Sequence, residues 1–187
     1  YRGVRQVVGL ELQPPLAALA RRNVALNQLT GRITIVEGDL RNPPPELTAR
    51  RFDWVVSNPP YWPPANHHVP ASPLQAVAKF ELTCNLSEVV MAAARFCREG
   101  GRVGLIHLPE RLTDLLSTMR AARLEPKRLC LVHPKPEAAP HRVLVEGIKG
   151  GRPGLKVTKP LFIHGPDGVF SPEMNAVYEG RGLTEVL

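Results

Sequence analysis

The sequence predicts an α/β fold: a mainly parallel sheet with an antiparallel pair of strands at its carboxyl-terminal edge. Three observations carry that expectation. Short apolar or β-branched runs alternate with stretches of helical periodicity from Val7 to Met119. Two later apolar runs are joined by residues 134–141, whose three prolines leave no room for a crossover helix, so those two strands pair as neighbours. A chain of 187 residues with 43% hydrophobic content suits one domain with a full core. No internal repeat or linker interrupts it, so one domain over residues 1–187 is expected.

Each element has its own signal. Val7-Val8-Gly9-Leu10 is a short apolar strand. Pro14-Pro15 opens a helix at the first turn, where proline is tolerated, with Leu16, Leu19 and Ala20 on one face. That helix is expected to run to about Leu29 and to stop at Gly31. Ile33-Thr34-Ile35-Val36 is a β-branched strand. Residues 41–51 form a proline-rich connection with space for one helical turn. Phe52 to Ser57 reads as a buried core strand, with Trp54 in its packing. Residues 62–78 read as a long proline-rich loop, a candidate substrate lid, carrying the pair His67-His68.

Asn85 with Glu88 three residues on is a capping-box pattern. Leu86, Val89, Val90, Ala93 and Cys97 follow at helical spacing, and Gly100-Gly101 is the expected stop. Arg102 to Leu108 is a strand closed by Pro109. Leu112, Leu115, Leu116 and Met119 mark another amphipathic helix. Residues 127–133 and 142–148 are the antiparallel pair. Leu161-Phe162-Ile163 is a short apolar run, and a last helix is expected over residues 172–178.

Charge is uneven. The net charge is +7, and residues 120–160 hold ten Lys/Arg against three Asp/Glu, so the whole excess lies in that segment. A polyanion such as RNA is its natural partner, a solubilising face the plain alternative. The three cysteines, Cys84, Cys97 and Cys130, form no CxxC pair and read as small core residues in a reducing, cytoplasmic setting, with no metal site. No apolar run approaches the length of a membrane span.

The chemistry concentrates at strand ends. Asn58-Pro59-Pro60-Tyr61 follows the third strand, and its two prolines cannot continue a central strand. The result is a rigid turn at a carboxyl edge, where open α/β sheets bind ligands. It offers a side-chain amide, carbonyls without competing N–H groups and an aromatic face, a set suited to holding a planar amide or an exocyclic amine. Glu11, just after the first strand, is placed to accept hydrogen bonds from ribose hydroxyls. Asp39, after the second, can accept an adenine amino group. Alone, Glu11 reads equally as an exposed strand-end carboxylate and Asp39 as a Gly-Asp turn. The three signals in this order point together to a nucleoside site.

These residues give the chain a resemblance to S-adenosylmethionine-dependent methyltransferases of the amino-group type, acting on N6 of adenine or N5 of glutamine, and hence to the class I methyltransferase fold. More narrowly it resembles the bacterial tRNA1(Val) adenine-N6 methyltransferase family. Residues 8–13, Arg22-Asn23, residues 37–40, the NPPY turn, residues 81–84 and 124–128 carry the likeness. It continues through residues 133–136, 142–146 and 150–155. The resemblance implies S-adenosylmethionine as cofactor, bound by Glu11, Leu12, Asp39, Leu40 and Asn58. It implies that Asn58 and Pro59 accept hydrogen bonds from the target amine, that Tyr61 stacks on a flipped-out base, and that Pro60 holds the turn rigid. The implied substrate is tRNA, at adenosine 37 beside the anticodon. Within the basic segment Lys127, Arg128, Lys135 and Arg142 are candidate phosphate contacts, with surface solubility as the even alternative. Trp62 extends the stacking surface or anchors the loop, and Phe80 stands where the resemblance leads one to expect histidine.

The chain departs from the family at its start. Ten residues precede Glu11 and none forms Gly-x-Gly, so the first strand and the glycine-rich cofactor loop are expected to be missing. Two other readings therefore stand beside tRNA methylation. One is protein glutamine-N5 methylation by the same turn. The other is a truncated, non-catalytic RNA-binding remnant.

Overall fold

The computed structural model describes residues 4–61 and 84–180. They fall into two compact units that divide between Arg50 and Arg51. Trp62, His67, His68, Phe80 and residues 81–83 lie outside the described residues.

The first unit is a βαβ arrangement. Strand β1 (Val7–Glu11) leads through helix α1 (Pro14–Leu26) to β2 (Ile33–Glu37), which pairs with β1 in parallel from Val7↔Ile33 to Glu11↔Glu37. Prolines occupy the first turn of α1, where their missing N–H groups cost nothing. The helix ends at Leu26, short of the expected Leu29, because Gln28 turns left-handed at φ 55° and the Asn27 N–H closes the last turn on the carbonyls of Asn23 and Ala25. Gly31 therefore plays no part in stopping it. The buried residue of α1 is Ala17, while Leu19 on the expected apolar face is 52% exposed. A single-turn helix α2 (Pro45–Thr48) follows β2 and buries Leu47.

The second unit holds a six-stranded sheet in the order β3-β4-β6-β5-β7, with β8 also pairing with β5. Its strands are β3 (Phe52–Ser57), β4 (Cys97–His107), β5 (Leu124–His133), β6 (Arg142–Lys149), β7 (Lys156–Val157) and β8 (Leu161–Phe162). Strands β3 and β4 run parallel, whereas β6 is antiparallel to both β4 and β5, as the proline-rich link predicts.

Helices α3 (Leu86–Phe96) and α4 (Leu112–Ala121) belong to this unit, as does a short 3-10 turn at Pro109–Arg111. The capping box at the start of α3 is complete: the Glu88 N–H donates to Asn85 Oδ1 at 2.9 Å, and the Asn85 N–H donates to Glu88 Oε2 at 2.8 Å. Leu86, Val90 and Ala93 of α3 bury against Leu115 and Met119 of α4 and against Val103, Leu105, Val143 and Val145 of the sheet. The last helix, α5 (Pro172–Glu179), is capped by the Ser171 hydroxyl, which accepts from the Met174 N–H.

Two sequence expectations change here. The helix before β4 stops at Phe96, and Cys97 already pairs with Phe52. Between Phe52↔Cys97 and Trp54↔Arg102 the β4 chain bulges outward, with Gly100 at φ 70°. Gly101 permits the bulge to close, since a Cβ there would sit 2.7 Å from Cys97 Sγ and 2.9 Å from the Arg98 carbonyl. The glycine pair thus serves a bulge rather than a helix stop. The second change concerns β3. Among the described residues it pairs only with β4, so it is an edge strand, and Trp54 and Val56 are 52% and 74% exposed. Val55 packs against the core cluster, whereas Trp54 lies on the other face of the sheet, where its indole covers Gly104 of β4.

Cys97 and Cys130 are fully buried, as their apolar settings predict, and burial pushes the Cys97 thiol above its ordinary pKa. No described helix is long and apolar enough to cross a membrane.

Leu115 is fully buried between α3 and the sheet, so Leu115→Ala is expected to destabilise the protein by about 2–5 kcal/mol. Met91, 58% exposed on α3, provides the control: Met91→Ala is expected to stay within about 0.5 kcal/mol. Urea unfolding of the two variants checks the assigned face of α3 and its seat on α4.

Candidate active site

In the first unit, the parallel register of β1 and β2 brings Glu11 and Asp39 to the same sheet end. The Gly38 N–H donates to the Glu11 carbonyl at 2.9 Å, which ties the two strand ends together. Glu11 Oε1 accepts from the Gln13 N–H at 2.8 Å, so the carboxylate is oriented by its own turn. Asp39 is held by Arg41. The guanidinium Nε donates to both carboxylate oxygens, at 3.0 and 2.9 Å, Nη2 donates at 2.5 Å, and the Arg41 backbone N–H donates at 2.9 Å. This charged fork keeps the Asp39 carboxyl below its usual pKa. Leu12 is exposed at the end of β1 and Leu40 is half-buried beside Asp39.

The second unit carries the Asn58–Tyr61 turn. It leaves β3 where Ser57 pairs with Leu105 of β4, so it sits beside the carboxyl end of both parallel strands. Pro59 is buried and Asn58 exposed, which anchors the turn through its ring and presents the amide outward. The Tyr61 hydroxyl donates to Asn58 Oδ1, so the two functional side chains of the turn meet.

Three residues from outside the turn converge on Tyr61. His107, fully buried at the end of β4, meets the ring edge-on with centroids 5.5 Å apart. The Arg111 guanidinium donates to the Tyr61 carbonyl at 3.2 Å. The Arg142 guanidinium lies over the ring, 4.7 Å from its centroid, and donates to the His141 carbonyl at 2.6 Å. His107 Nδ1 accepts from the Leu108 N–H at 2.9 Å, so its lone pair is used there and a neutral ring carries its proton on Nε2.

Neither His107 nor Arg111 was singled out from the sequence. His107 had a usable signal: Gly101, Val103, Leu105 and His107 are the alternate, buried positions of β4, so a polar residue closes the core-facing row at the carboxyl end. Arg111 had none, since only the 3-10 turn after Pro109 carries it towards Tyr61.

The basic candidates are not one patch. Arg142 pairs with Val132, and Lys135 is exposed just past the end of β5, so these two share the end of the sheet that carries Tyr61. Arg128 pairs with Glu146, four residues further along β5 and therefore about 13 Å away along the strand. Lys127 beside it donates to the Arg152 carbonyl at 3.1 Å. Among the described residues no group of three His, Cys, Asp or Glu side chains could hold a metal.

Strand-end acids, an Asn-Pro-Pro-Tyr turn and an antiparallel terminal pair belong to the class I S-adenosylmethionine-dependent methyltransferase fold. Solved structures bear the fold out. One described as a predicted O-methyltransferase from Agrobacterium tumefaciens superposes with a TM-score of 0.73 at 24% identity, over 95% of this chain and 78% of that one.

Sequence relatives narrow the class. The chain is 33% identical over 176 residues, 90% of its length and 67% of the relative's, to the tRNA1(Val) (adenine(37)-N6)-methyltransferase of Porphyromonas gingivalis. The chain belongs to the tRNA1(Val) adenine-N6-methyltransferase family. A release factor glutamine methyltransferase of Geobacter sulfurreducens is 48% identical over 61 residues, but that span covers only 33% of this chain and 20% of the relative. No family model matches the chain.

The Asp39–Arg41 fork sets a pH dependence. A carboxylate whose pKa is lower folded than unfolded stabilises the folded state above its unfolded pKa, and that contribution is lost as pH falls through the folded value. Arg41→Ala is expected to move the Asp39 pKa up towards the ordinary 3.8 and to weaken this acid-side loss. NMR titration of the Asp39 carboxyl measures the shift, and an unchanged pKa would contradict the role given to Arg41.

Proposed function

We propose that this chain carries the methyl-transfer site of an enzyme that methylates N6 of an adenine in tRNA, at adenosine 37 beside the anticodon, with S-adenosylmethionine as donor. The observation that carries the proposal is the Asn58–Tyr61 turn at the carboxyl end of β3, with its amide exposed and its aromatic ring held by residues of β4 and β6. Similarity across nine tenths of the chain to a tRNA adenine-N6 methyltransferase supports the substrate.

The donor set fits the cofactor. Glu11, with one carboxylate oxygen held by its own turn, would accept hydrogen bonds from the ribose hydroxyls, and Asp39 with Leu40 would flank the adenine. Leu12, at the end of β1, would complete the contacts of this unit. When bound, S-adenosylmethionine supplies an electrophilic methyl group on a sulfonium. Everything else is orientation. The exocyclic amine of adenine is a weak nucleophile because its lone pair is delocalised into the ring. Asn58 Oδ1 and the Pro59 carbonyl accept its two N–H groups and favour the pyramidal geometry that frees the lone pair. Tyr61 would stack on the extruded base and set its plane, which would orient the nitrogen lone pair for transfer. The Tyr61 hydroxyl takes one lone pair of Asn58 Oδ1 and leaves the other for the amine. Lys135 at the same sheet end, with Lys127 and Arg128 further along β5, contacts the tRNA backbone.

A second reading, transfer to a glutamine side-chain amide, is favoured by the short segment of high identity to a release factor methyltransferase. The shared turn serves either nitrogen. The breadth of the tRNA-enzyme similarity and the basic segment at residues 120–160 favour RNA.

Incubation of the intact protein with labelled S-adenosylmethionine and total tRNA is expected to yield N6-methyladenosine. Absence of that nucleoside, or label appearing instead in a release factor, would overturn the proposal. Asn58→Ala is expected to reduce transfer at least 100-fold, in line with the loss of a positioning contact on the reacting atom, with the thermal unfolding profile unchanged. Retained activity in that variant would remove Asn58 from its role.

A further inference from the structure

Tyr61 is gripped more firmly than a tethered loop residue needs to be. Its ring makes a T-shaped contact with buried His107, its carbonyl accepts from Arg111, and one face of its ring carries the Arg142 guanidinium. Arg142 is also the residue that charge alone assigns to a phosphate. Its geometry says otherwise. It is the first residue of β6, opposite Val132 and next to Val143, which pairs with His107. Its side chain is partly buried, its Nη1 is engaged by the His141 carbonyl at 2.6 Å, and its plane is spent on the phenol ring.

We propose that Arg142 is a positioning residue for the target base: its guanidinium fixes the plane of Tyr61 from one face, so that the base stacks on the other. The result is a three-layer stack of guanidinium, phenol and adenine, with His107 in T-shaped contact with the phenol. A cation over the phenol also draws electron density from the ring, which favours stacking of an electron-rich purine on the opposite face. Without Arg142 the ring can rotate about its side-chain bonds. The base is then presented off axis, and misplacement on the ångström scale costs up to about 100-fold in rate.

This inference rests on the methyl-transfer reading, and one experiment separates the two. The intact wild-type protein, Arg142→Met, Arg142→Lys, Tyr61→Ala and the Arg142→Met/Tyr61→Ala double variant are compared in steady-state methylation of tRNA at several salt concentrations. A silent wild-type enzyme defeats the methyl-transfer reading itself. With an active wild type, Arg142→Met is expected to lower kcat about 10–100-fold while leaving KM for tRNA and the salt dependence nearly unchanged. Lysine, which keeps the cation, is expected to restore part of the rate. In the Tyr61→Ala background, removing Arg142 is expected to have no further effect, because its partner is already gone. The inference is overturned if KM for tRNA rises at constant kcat with a salt slope shallower by about one phosphate contact, or if the two substitutions multiply independently. Should Arg142→Met fail to fold, judged by thermal unfolding, Arg142→Gln enters the same cycle with the same criteria.

Discussion

Strand β4 is the constraint on which the candidate site depends. It pairs in parallel with β3 on one side and antiparallel with β6 on the other. The parallel pairing places the end of β3, and so the Asn58 turn, beside the end of β4. The antiparallel pairing places the start of β6 at that same end, because an antiparallel neighbour begins where its partner finishes. Asn58, His107 and Arg142 are far apart in sequence and reach one place for this single reason. Their convergence follows from register, before any side chain chooses a rotamer.

The core supports the register. From Gly101 to His107 buried residues of β4 alternate with less buried ones, and the buried row packs on α3 and α4. A one-residue slip would send that whole row to the wrong face, so hydrophobic burial locks the alignment that the site needs. The bulge at Gly100 and Gly101 absorbs the irregularity at the far end of β4, leaving the six residues from Arg102 to His107 that face β6 in unbroken antiparallel register. The row ends in His107, where an apolar residue would have served packing equally well. The imidazole instead meets Tyr61, so the last core position of β4 faces both the interior and the site.

Much of the fold was legible in the sequence, and the reasons are local. The Asn85–Glu88 capping box, the prolines opening α1 and the periodicity of α3 and α4 each report interactions made within a few residues. The proline-rich link predicted the antiparallel pair because it excluded the alternative. Misreadings arose where a local signal had a non-local owner. Gly100-Gly101 reads as a helix stop until Cys97 is seen paired with Phe52. The apolar run of β3 reads as buried until it is seen to pair, among the described residues, with β4 alone. Leu19 lies on the expected face of α1, but the residue that burial selects is Ala17.

The candidate site divides the same way. By itself the sequence determined the chemical groups: a rigid amide-bearing turn and two acids, each placed after a strand, because strand periodicity and proline chemistry act over a few residues. Only the tertiary structure decided who supports them. Glu11 and Asp39 stand at one sheet end because β1 and β2 align in parallel. The buried histidine under Tyr61 and the arginine over its face come from strands 46 and 81 residues further along the chain. Sequence spacing cannot show such contacts, since they exist only once pairing has brought the strand ends together.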